Sequence, residues 1–276
     1  MIFGFGGDER LQAARPPLAR VIAAIRYPLM AALSSMPAIA PIQELLSAEF
    51  PELRPSEINQ MEITLNLGPA TGVQQQQAKQ TIWKFSGNEA GYEVIVAPAG
   101  TQISVGSRYR DRQQFSDILQ RVCIALAQGA GVTRLDSFGV RYVNAAPIEP
   151  GWEGWWNPEL LGWLTSPELH AQQIFSMSQT SLNGGVVELD NHAQIVTNAV
   201  IRHGLVPGVG PDLLENGSMT KAYIVDCELN MAQPITFTPL IIDDIFREYN
   251  HEIARFFSFA LSDAGRRRFA VEARAQ

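Results

Sequence analysis

Apolar and polar positions along the chain form two successive blocks, each predicting a strand, a helix, several further strands and a closing helix. In the first block a β-prone run over 18–27 is bounded by Pro16, Pro17 and Pro28, and proline is tolerated at strand ends. A short helix is predicted over 39–50 from apolar residues at helical spacing. Four β segments follow, and a glutamine-rich solvated loop is predicted between the first two of them. These strands cover 61–67, 81–85, 92–97 and 102–109, and the loop covers 68–79.

The first block closes with a helix that begins at a capping box. Asp111 is the predicted N-cap, and Gln114 stands three residues later. An apolar stripe at helical spacing then indicates a helix lying on a sheet. The stripe consists of Phe115, Ile118, Leu119, Val122 and Leu126.

The second block opens with a strand over 132–144. A tryptophan-rich segment follows, with Asn157 as the cap of a helix that runs to about residue 170. A loop is predicted over 204–217, and a long final helix over 239–260 is capped by Thr238. The strands of this block are predicted over 174–182, 186–190, 193–202 and 221–230.

These patterns predict an α+β protein of two similar lobes, each an antiparallel sheet packed on helices. The predicted divisions are a flexible leader (1–14), an N-terminal lobe (15–131) and a C-terminal lobe (132–276). The arrangement is similar to helix-grip or TATA-binding-protein-like folds, and this analogy concerns the fold and carries no function.

Composition narrows the class of protein. The 276 residues include 46% hydrophobic and 18% charged residues, which is typical of a globular protein. The net charge of −7 does not steer the chain toward nucleic acid. Two cysteines in apolar runs, the lack of a signal-peptide pattern and the lack of a membrane-spanning stretch predict a cytoplasmic protein.

Several segments together resemble an uncharacterised, sporadically distributed family of prokaryotic proteins. The motifs are the run from Pro16 to Tyr27, which ends in Ile-Arg-Tyr, and Gly-Val-Arg-Tyr-Val-Asn over 139–144. This chain has Ala24 and Ser137 where the family has an acidic and a basic residue. The resemblance implies no activity, and the family's patchy distribution suggests a defence or toxin–antitoxin locus.

An Arg-Tyr pair recurs at predicted strand ends, which suggests a ligand site. Arginine forks bind carboxylate or phosphate, and tyrosine can stack or donate a hydrogen bond. The alternative is that each arginine pairs with a carboxylate on a neighbouring strand, such as Asp226 or Glu228. The candidate ligand-binding residues are Arg26, Tyr27, Arg108, Tyr109, Arg141, Tyr142, Asn144, Arg202 and His203.

Trp152, Trp155 and Trp156 are candidates for a partner-binding patch, with core packing as the alternative. No histidine has the spacing of a zinc motif, so no metal and no cofactor are predicted. No residue is assigned a catalytic role.

Three classes of function stay open. The first is a non-enzymatic module that binds a partner protein, a second copy of the chain or a small anionic ligand. The second is a hydrolase-type enzyme with arginine, tyrosine and acidic side chains in a cleft between the lobes. The third, disfavoured by the charge, is a nucleic-acid-binding saddle.

Overall fold

The structure is a computed structural model that describes residues 2–4, 11–13, 17–66, 72–166, 168, 175–190, 192–209, 220–269 and 271–273. This part of the chain contains five α-helices and thirteen β-strands. The helices are α1 (Met36–Leu46), α2 (Arg112–Gly129), α3 (Pro158–Leu161), α4 (Pro239–Ala260) and α5 (Asp263–Arg268). Strands β1 to β6 are Leu11–Ala13, Leu18–Arg26, Glu52–Asn66, Gly72–Ser86, Glu93–Ala97 and Gly100–Val105. Strands β7 to β13 are Arg134–Leu135, Ser137–Pro147, Ser176–Glu188, Gln194–Val209, Thr220–Met231, Ile235–Thr236 and Val271–Ala273.

Nine of these strands form one antiparallel sheet in the order β3-β4-β5-β6-β2-β8-β11-β10-β9. The predicted α+β class is therefore confirmed. The two opening strands, β2 and β8, lie side by side at the centre, so the strands of both blocks form one continuous sheet. On each side the last strand that the block contributes to this sheet, β6 or β11, lies next to the opening strand. Two short ribbons, β1 with β13 and β7 with β12, lie outside this sheet.

One face of the sheet is covered by helices and the other is open. Along β2, Val21, Ala23 and Ile25 are buried while the residues between them are half-buried. This period of two places alternate side chains on opposite faces. Helices α2 and α4 meet over the buried face, where the rings of Phe115 and Phe246 stack with centroids 5.2 Å apart.

The two long helices begin where their caps are predicted. Asp111 accepts a hydrogen bond from the backbone N–H of Gln114 at 2.8 Å, and the predicted stripe of α2 is buried. Thr238 accepts from the backbone N–H of Ile241 at 3.2 Å. These contacts satisfy N–H groups that lack a partner within the helix.

Four sequence predictions are wrong. The glutamines at 74–77 lie in β4 and not in a loop, because each pairs with a residue of β3. The helix capped by Asn157 ends at Leu161, since Gly162 has a positive φ and a 3-10 turn follows. The predicted strands at 174–182 and 186–190 are one strand, β9, and the predicted loop from 204 begins within β10. Residue 170 and positions 210–217 lie outside the described residues.

Part of the predicted leader contacts the last long helix. The backbone N–H groups of Ile2 and Phe3 donate to Glu252 Oε2 at 3.0 and 3.2 Å. The ring of Phe3 is buried against Phe256. Among the described helices, none has the length and apolar character needed to cross a membrane.

Candidate functional site

The Arg-Tyr pairs do not come together at a single binding site. Arg26 is exposed where β2 ends, beside Gly100. Tyr27 is buried, and its hydroxyl donates to the backbone oxygen of Ala97 at 2.8 Å and lies 3.1 Å from Thr101 Oγ1. Since both partners of the hydroxyl lie in the β5–β6 hairpin, Tyr27 holds that hairpin against β2.

The tyrosines of the other two pairs do meet. The hydroxyl oxygens of Tyr109 and Tyr142 lie 3.2 Å apart, and Asn250 Nδ2 donates to Tyr142 at 2.7 Å. Burial raises the pKa of Tyr142 to about 12 and raises the pKa of Tyr109 as well. Both phenols are therefore protonated at neutral pH, and they link the loop before α2 to β8 and α4.

Arg141 and Arg202 lie on the open face and share one carboxylate. Arg141 Nε and Nη2 donate to Asp226 at 2.9 and 2.6 Å, in a bidentate pair. Arg202 Nη1 donates to Asp226 at 3.4 Å and to Glu228 at 3.0 Å. For these two arginines the alternative of pairing with carboxylates on a neighbouring strand is confirmed.

Asn144 is buried and His203 is half-buried, and both are hydrogen-bonded within the second block. Asn144 Nδ2 donates to the backbone oxygen of Val225 at 3.3 Å. The hydroxyl of Tyr223 donates to the backbone oxygen of Leu160, and its own oxygen lies 3.2 Å from His203 Nδ1. Burial lowers the pKa of His203, which leaves the ring neutral at physiological pH.

The carboxylates that an acid–base pair with His203 would need are engaged elsewhere. Asp190 pairs with Arg247 at 2.8 Å, and Glu228 pairs with Arg202 at 3.0 Å. The register of β10 and β11 pairs Arg202 with Asp226 and Val200 with Glu228, which places the charged side chains on the open face. Among the described residues, none of Asp190, Asp226 and Glu228 is therefore an unpaired carboxylate available to His203.

Two of the three candidate tryptophans lie in the core. Trp152 and Trp156 are buried, with their rings 5.2 and 5.1 Å from the ring of Tyr223. Trp155 is partly buried, and the guanidinium of Arg268 lies 5.1 Å from its ring centroid. A partner can therefore reach Trp155 but not the other two.

Arg108 lines a pocket of about 790 Å³ beside the helix-covered face. We call it the Tyr92 pocket. It lies between the end of α1, the turn from β4 to β5, the segment before α2 and the first turns of α2. Its lining residues are Ala48, Glu49, Pro51, Gly87, Asn88, Glu89, Ala90, Tyr92, Arg108, Arg110, Gln114 and Ile118.

Glycine shapes the wall of this pocket. Gly91 has a φ of 77°, a conformation that other residues adopt at a cost. A Cβ at this position would lie 3.0 Å from Cδ of Arg108. The absence of a side chain lets Arg108 lie across the turn, where its Nη1 donates to the backbone oxygen of Glu89 at 3.4 Å.

Two buried polar atoms at the pocket lack a hydrogen-bond partner among the described residues. They are the hydroxyl of Tyr92, which is 1% exposed, and Oε1 of Gln114. Burial, with a smaller effect of the neighbouring Tyr109, raises the pKa of Tyr92. Tyr92 is therefore a neutral phenol with an unused donor, and Gln114 offers an unused acceptor.

The charged groups of the pocket leave an excess of cations. Glu49 is neutralised by an ion pair with Arg121. Arg108 and Arg110 have no carboxylate partner among the described residues, and Glu89 is the one other acid in the lining. Two guanidinium groups against one carboxylate favour an anionic ligand.

Sequence reasoning identified Arg108 but not Tyr92, Arg110 or Gln114. Arg110 was detectable, since Arg-Tyr-Arg over 108–110 places two arginines in one short connection. Gln114 was assigned only a capping role, and Tyr92 only a place in a strand. Their grouping depends on how the β4–β5 turn folds onto α2.

No family model, no curated protein and no solved structure matches this chain. Within the described ranges, no group of three or more histidine, cysteine, aspartate or glutamate side chains could hold a metal ion. The resemblance to the sporadic prokaryotic family stays a prediction, and its Gly-Val-Arg-Tyr-Val-Asn motif lies in β8.

Proposed function

We propose that the protein is a non-enzymatic module that binds a small organic anion in the Tyr92 pocket. The observation that carries the proposal is the buried hydroxyl of Tyr92, a residue that lines a pocket with two arginines; this hydroxyl has no hydrogen-bond partner among the described residues. An unmet buried hydrogen bond costs about 1–3 kcal/mol, and a ligand that accepts from Tyr92 would recover that cost. A volume of about 790 Å³ is in the usual range of small-molecule sites.

The two unpartnered atoms define the chemistry of the ligand. Tyr92 donates, so it calls for an acceptor such as a carboxylate or phosphate oxygen. Oε1 of Gln114 accepts, so it calls for an N–H or O–H group on the same ligand. Arg108 and Arg110 would then bind the anionic group through charge-assisted hydrogen bonds.

Two observations favour binding over catalysis. The phenols nearest the pocket have raised pKa values, so they are poor general bases at neutral pH. Asp190 and Glu228, two carboxylates that could serve as acid or base with His203, are instead paired with Arg247 and Arg202. A nucleic-acid saddle on the open face is disfavoured, because Asp226 and Glu228 neutralise Arg141 and Arg202 there.

We also propose that the two halves, 15–131 and 132–276, are a structural pseudo-repeat of the helix-grip or TATA-binding-protein-like kind. The support is the strand order, since in both halves the opening strand is followed outward by the last strand and then by the earlier ones in reverse. A long helix, α2 or α4, closes each half. The Tyr92 pocket lies within the first half, beside the first turns of α2.

The test combines co-purification with equilibrium binding. Native mass spectrometry asks whether the purified protein carries a small molecule, and calorimetric titrations use citrate, glutamate, inorganic phosphate and adenosine monophosphate as probes. We expect at least one organic anion to bind, and Arg108→Gln with Arg110→Gln to weaken it at least tenfold. Arg112→Gln is the matched control, because Arg112 is exposed on the same segment but does not line the pocket. The proposal fails if nothing co-purifies and no probe binds, or if binding is the same in the double variant.

A further inference from the structure

A buried ion pair on α4 is completed by a distant part of the chain. Arg255 Nη1 donates to Glu252 Oε1 at 3.3 Å, and the two side chains are only 10% and 8% exposed. Among the described residues, Oε2 of Glu252 receives hydrogen bonds from Ile2 and Phe3 alone. A carboxylate this deeply buried needs such donors, so α4 presents an acceptor that a passing peptide backbone satisfies.

Two consecutive N–H groups converge on that oxygen. The N–H of Ile2 lies at 3.0 Å and the N–H of Phe3 at 3.2 Å from Glu252 Oε2, as donor–acceptor distances. Hydrogen bonds to an ionised acceptor are about twice as strong as those between neutral groups. Because every residue except proline has a backbone N–H, this contact recognises the main chain of a peptide.

Side-chain contacts add selectivity for the type of residue. The ring of Phe3 is 2% exposed, and its centroid lies 5.6 Å from that of Phe256. Ile2 lies against Gly185 of β9, where an added Cβ would come within 3.1 Å of Ile2 Cγ1. Position 185 must therefore stay without a side chain for Ile2 to fit. These contacts select an aliphatic residue that is followed by an aromatic one.

We call the surface formed by Gly185, Glu252, Arg255 and Phe256 the α4 site. All four residues lie in β9 or α4, and the ion pair is internal to the helix, so the α4 site is formed without its occupant. Residues 2–4 belong to no strand or helix. The contact ends at the exposed Gly4, where nothing lies within 4 Å of an added Cβ. A preformed surface that holds a short irregular segment is typical of a peptide-binding site.

We propose that the α4 site binds peptides, and that a partner protein inserts an aliphatic–aromatic pair there in place of Ile2 and Phe3. The chain's own segment is then an intramolecular competitor. A tethered segment has an effective concentration on the order of millimolar, so it blocks weak ligands and yields to tight ones. The inference is independent of the proposed anion binding, since the Tyr92 pocket uses neither β9 nor α4.

A labelled peptide tests the site directly. Its sequence is that of residues 1–8, with a fluorophore at the C-terminal end, and fluorescence anisotropy measures its binding to the full chain and to a variant that lacks residues 2–7. We expect the shortened variant to bind at least tenfold more tightly, because the internal competitor is gone. No binding to the shortened variant, or equal binding to both chains, would overturn the proposal.

Matched variants identify the contacts. In the shortened chain, Glu252→Gln removes the charge of the acceptor and should weaken binding at least tenfold. Glu248→Gln is the control, because Glu248 lies one turn earlier on α4 and pairs with Arg247. A peptide in which alanine replaces the phenylalanine at position 3 should also bind at least tenfold more weakly. Unchanged affinity for that peptide, or for Glu252→Gln, contradicts the assignment.

Two further measurements cover misfolding and self-association. Circular dichroism checks the fold of each variant, and Phe3→Ala in the full chain replaces the shortened variant if that variant is unfolded. Phe3→Ala should bind the peptide more tightly than the unchanged chain does. Sedimentation of the full 30.4 kDa chain should show no dimer that depends on Phe3. A dimer that Phe3→Ala abolishes would assign the α4 site to a second copy and overturn the assignment to a partner protein.

Discussion

The hydroxyl of Tyr92 can be tested by removing it. Tyr92→Phe keeps the ring against Phe115 and deletes a buried donor that has no partner among the described residues. We expect the free energy of unfolding of the ligand-free protein to rise by about 1 kcal/mol, because the desolvation cost disappears. Binding of the anion should weaken about tenfold, since about 1.4 kcal/mol is a factor of ten. Urea unfolding and calorimetry measure the two effects.

Tyr27→Phe is the control, and we expect it to change the free energy of unfolding in the opposite direction. Its hydroxyl donates to the backbone oxygen of Ala97, so its removal leaves a buried acceptor and should destabilise the fold by about 1 kcal/mol. If Tyr92→Phe destabilises the protein as Tyr27→Phe does, then the hydroxyl of Tyr92 has a partner within the chain and the proposed site loses its basis.

At the scale of single residues, the sequence indicated the pieces of the site but not their grouping. The repeated Arg-Tyr pattern identified Arg108, and the acidic pair Asp226 and Glu228 correctly offered partners for Arg141 and Arg202. It could not indicate that Tyr92 and Gln114 line the same pocket, because their placement depends on the β4–β5 turn and on how α2 packs. Spacing along the chain carries no information about contacts of that kind.

At the scale of elements, the carboxylate of Asp226 joins three strands of the sheet. It lies on β11, between Arg141 on β8 and Arg202 on β10, and it is 2% exposed. Asp226→Asn keeps the shape but leaves two guanidinium groups without their shared anion. Because both arginines are partly exposed, we expect a loss of about 2 kcal/mol in the free energy of unfolding, below the cost for a fully buried pair.

Glu228→Gln is the comparison for this cluster. Among the described residues Glu228 forms an ion pair with Arg202 alone, and it is more exposed than Asp226, so its replacement should cost about 0.5 kcal/mol. Urea unfolding of both variants measures the difference. Equal losses would mean that Asp226 does not hold the three strands together.

Elements with local signals were predicted well, and elements defined by pairing were not. Helices α2 and α4 have caps and apolar stripes, and both signals are local in sequence. Four glutamines mask the character of the first part of strand β4, which is a strand there through its pairing with β3. The continuity of β9 likewise comes from its pairing with β10, including a bulge that no local pattern marks.

At the scale of the whole molecule, the sequence predicted two similar blocks but not how they join. The neighbouring positions of β2 and β8 require the second block to fold against the first. Such long-range pairing is set by tertiary packing, which periodicity does not encode. The shared core that results buries most of the tyrosine side chains, and this has a measurable consequence at high pH.

All six tyrosines have raised pKa values, with burial as the main cause in each. The pKa is about 12 for Tyr27 and Tyr142 and higher for the others. A phenol with a raised folded-state pKa stabilises the fold fully below its ordinary pKa of about 10, and that contribution is lost as the pH rises through the folded-state value. Stability should therefore fall steadily above pH about 10.

Phenolate absorbance during an alkaline titration checks this prediction. In the folded protein the absorbance should stay near zero past pH about 10, and then all six phenols should ionise together with the loss of circular dichroism. The same titration in concentrated urea should give a midpoint near the ordinary value of about 10. Partial ionisation near that value while the dichroism is unchanged would show that at least one phenol is solvated. The Tyr92→Phe variant shows whether that phenol is Tyr92, because the early ionisation would then disappear. In that case solvent already forms a hydrogen bond with the hydroxyl of Tyr92, which contradicts the proposed role of this hydroxyl in binding a ligand.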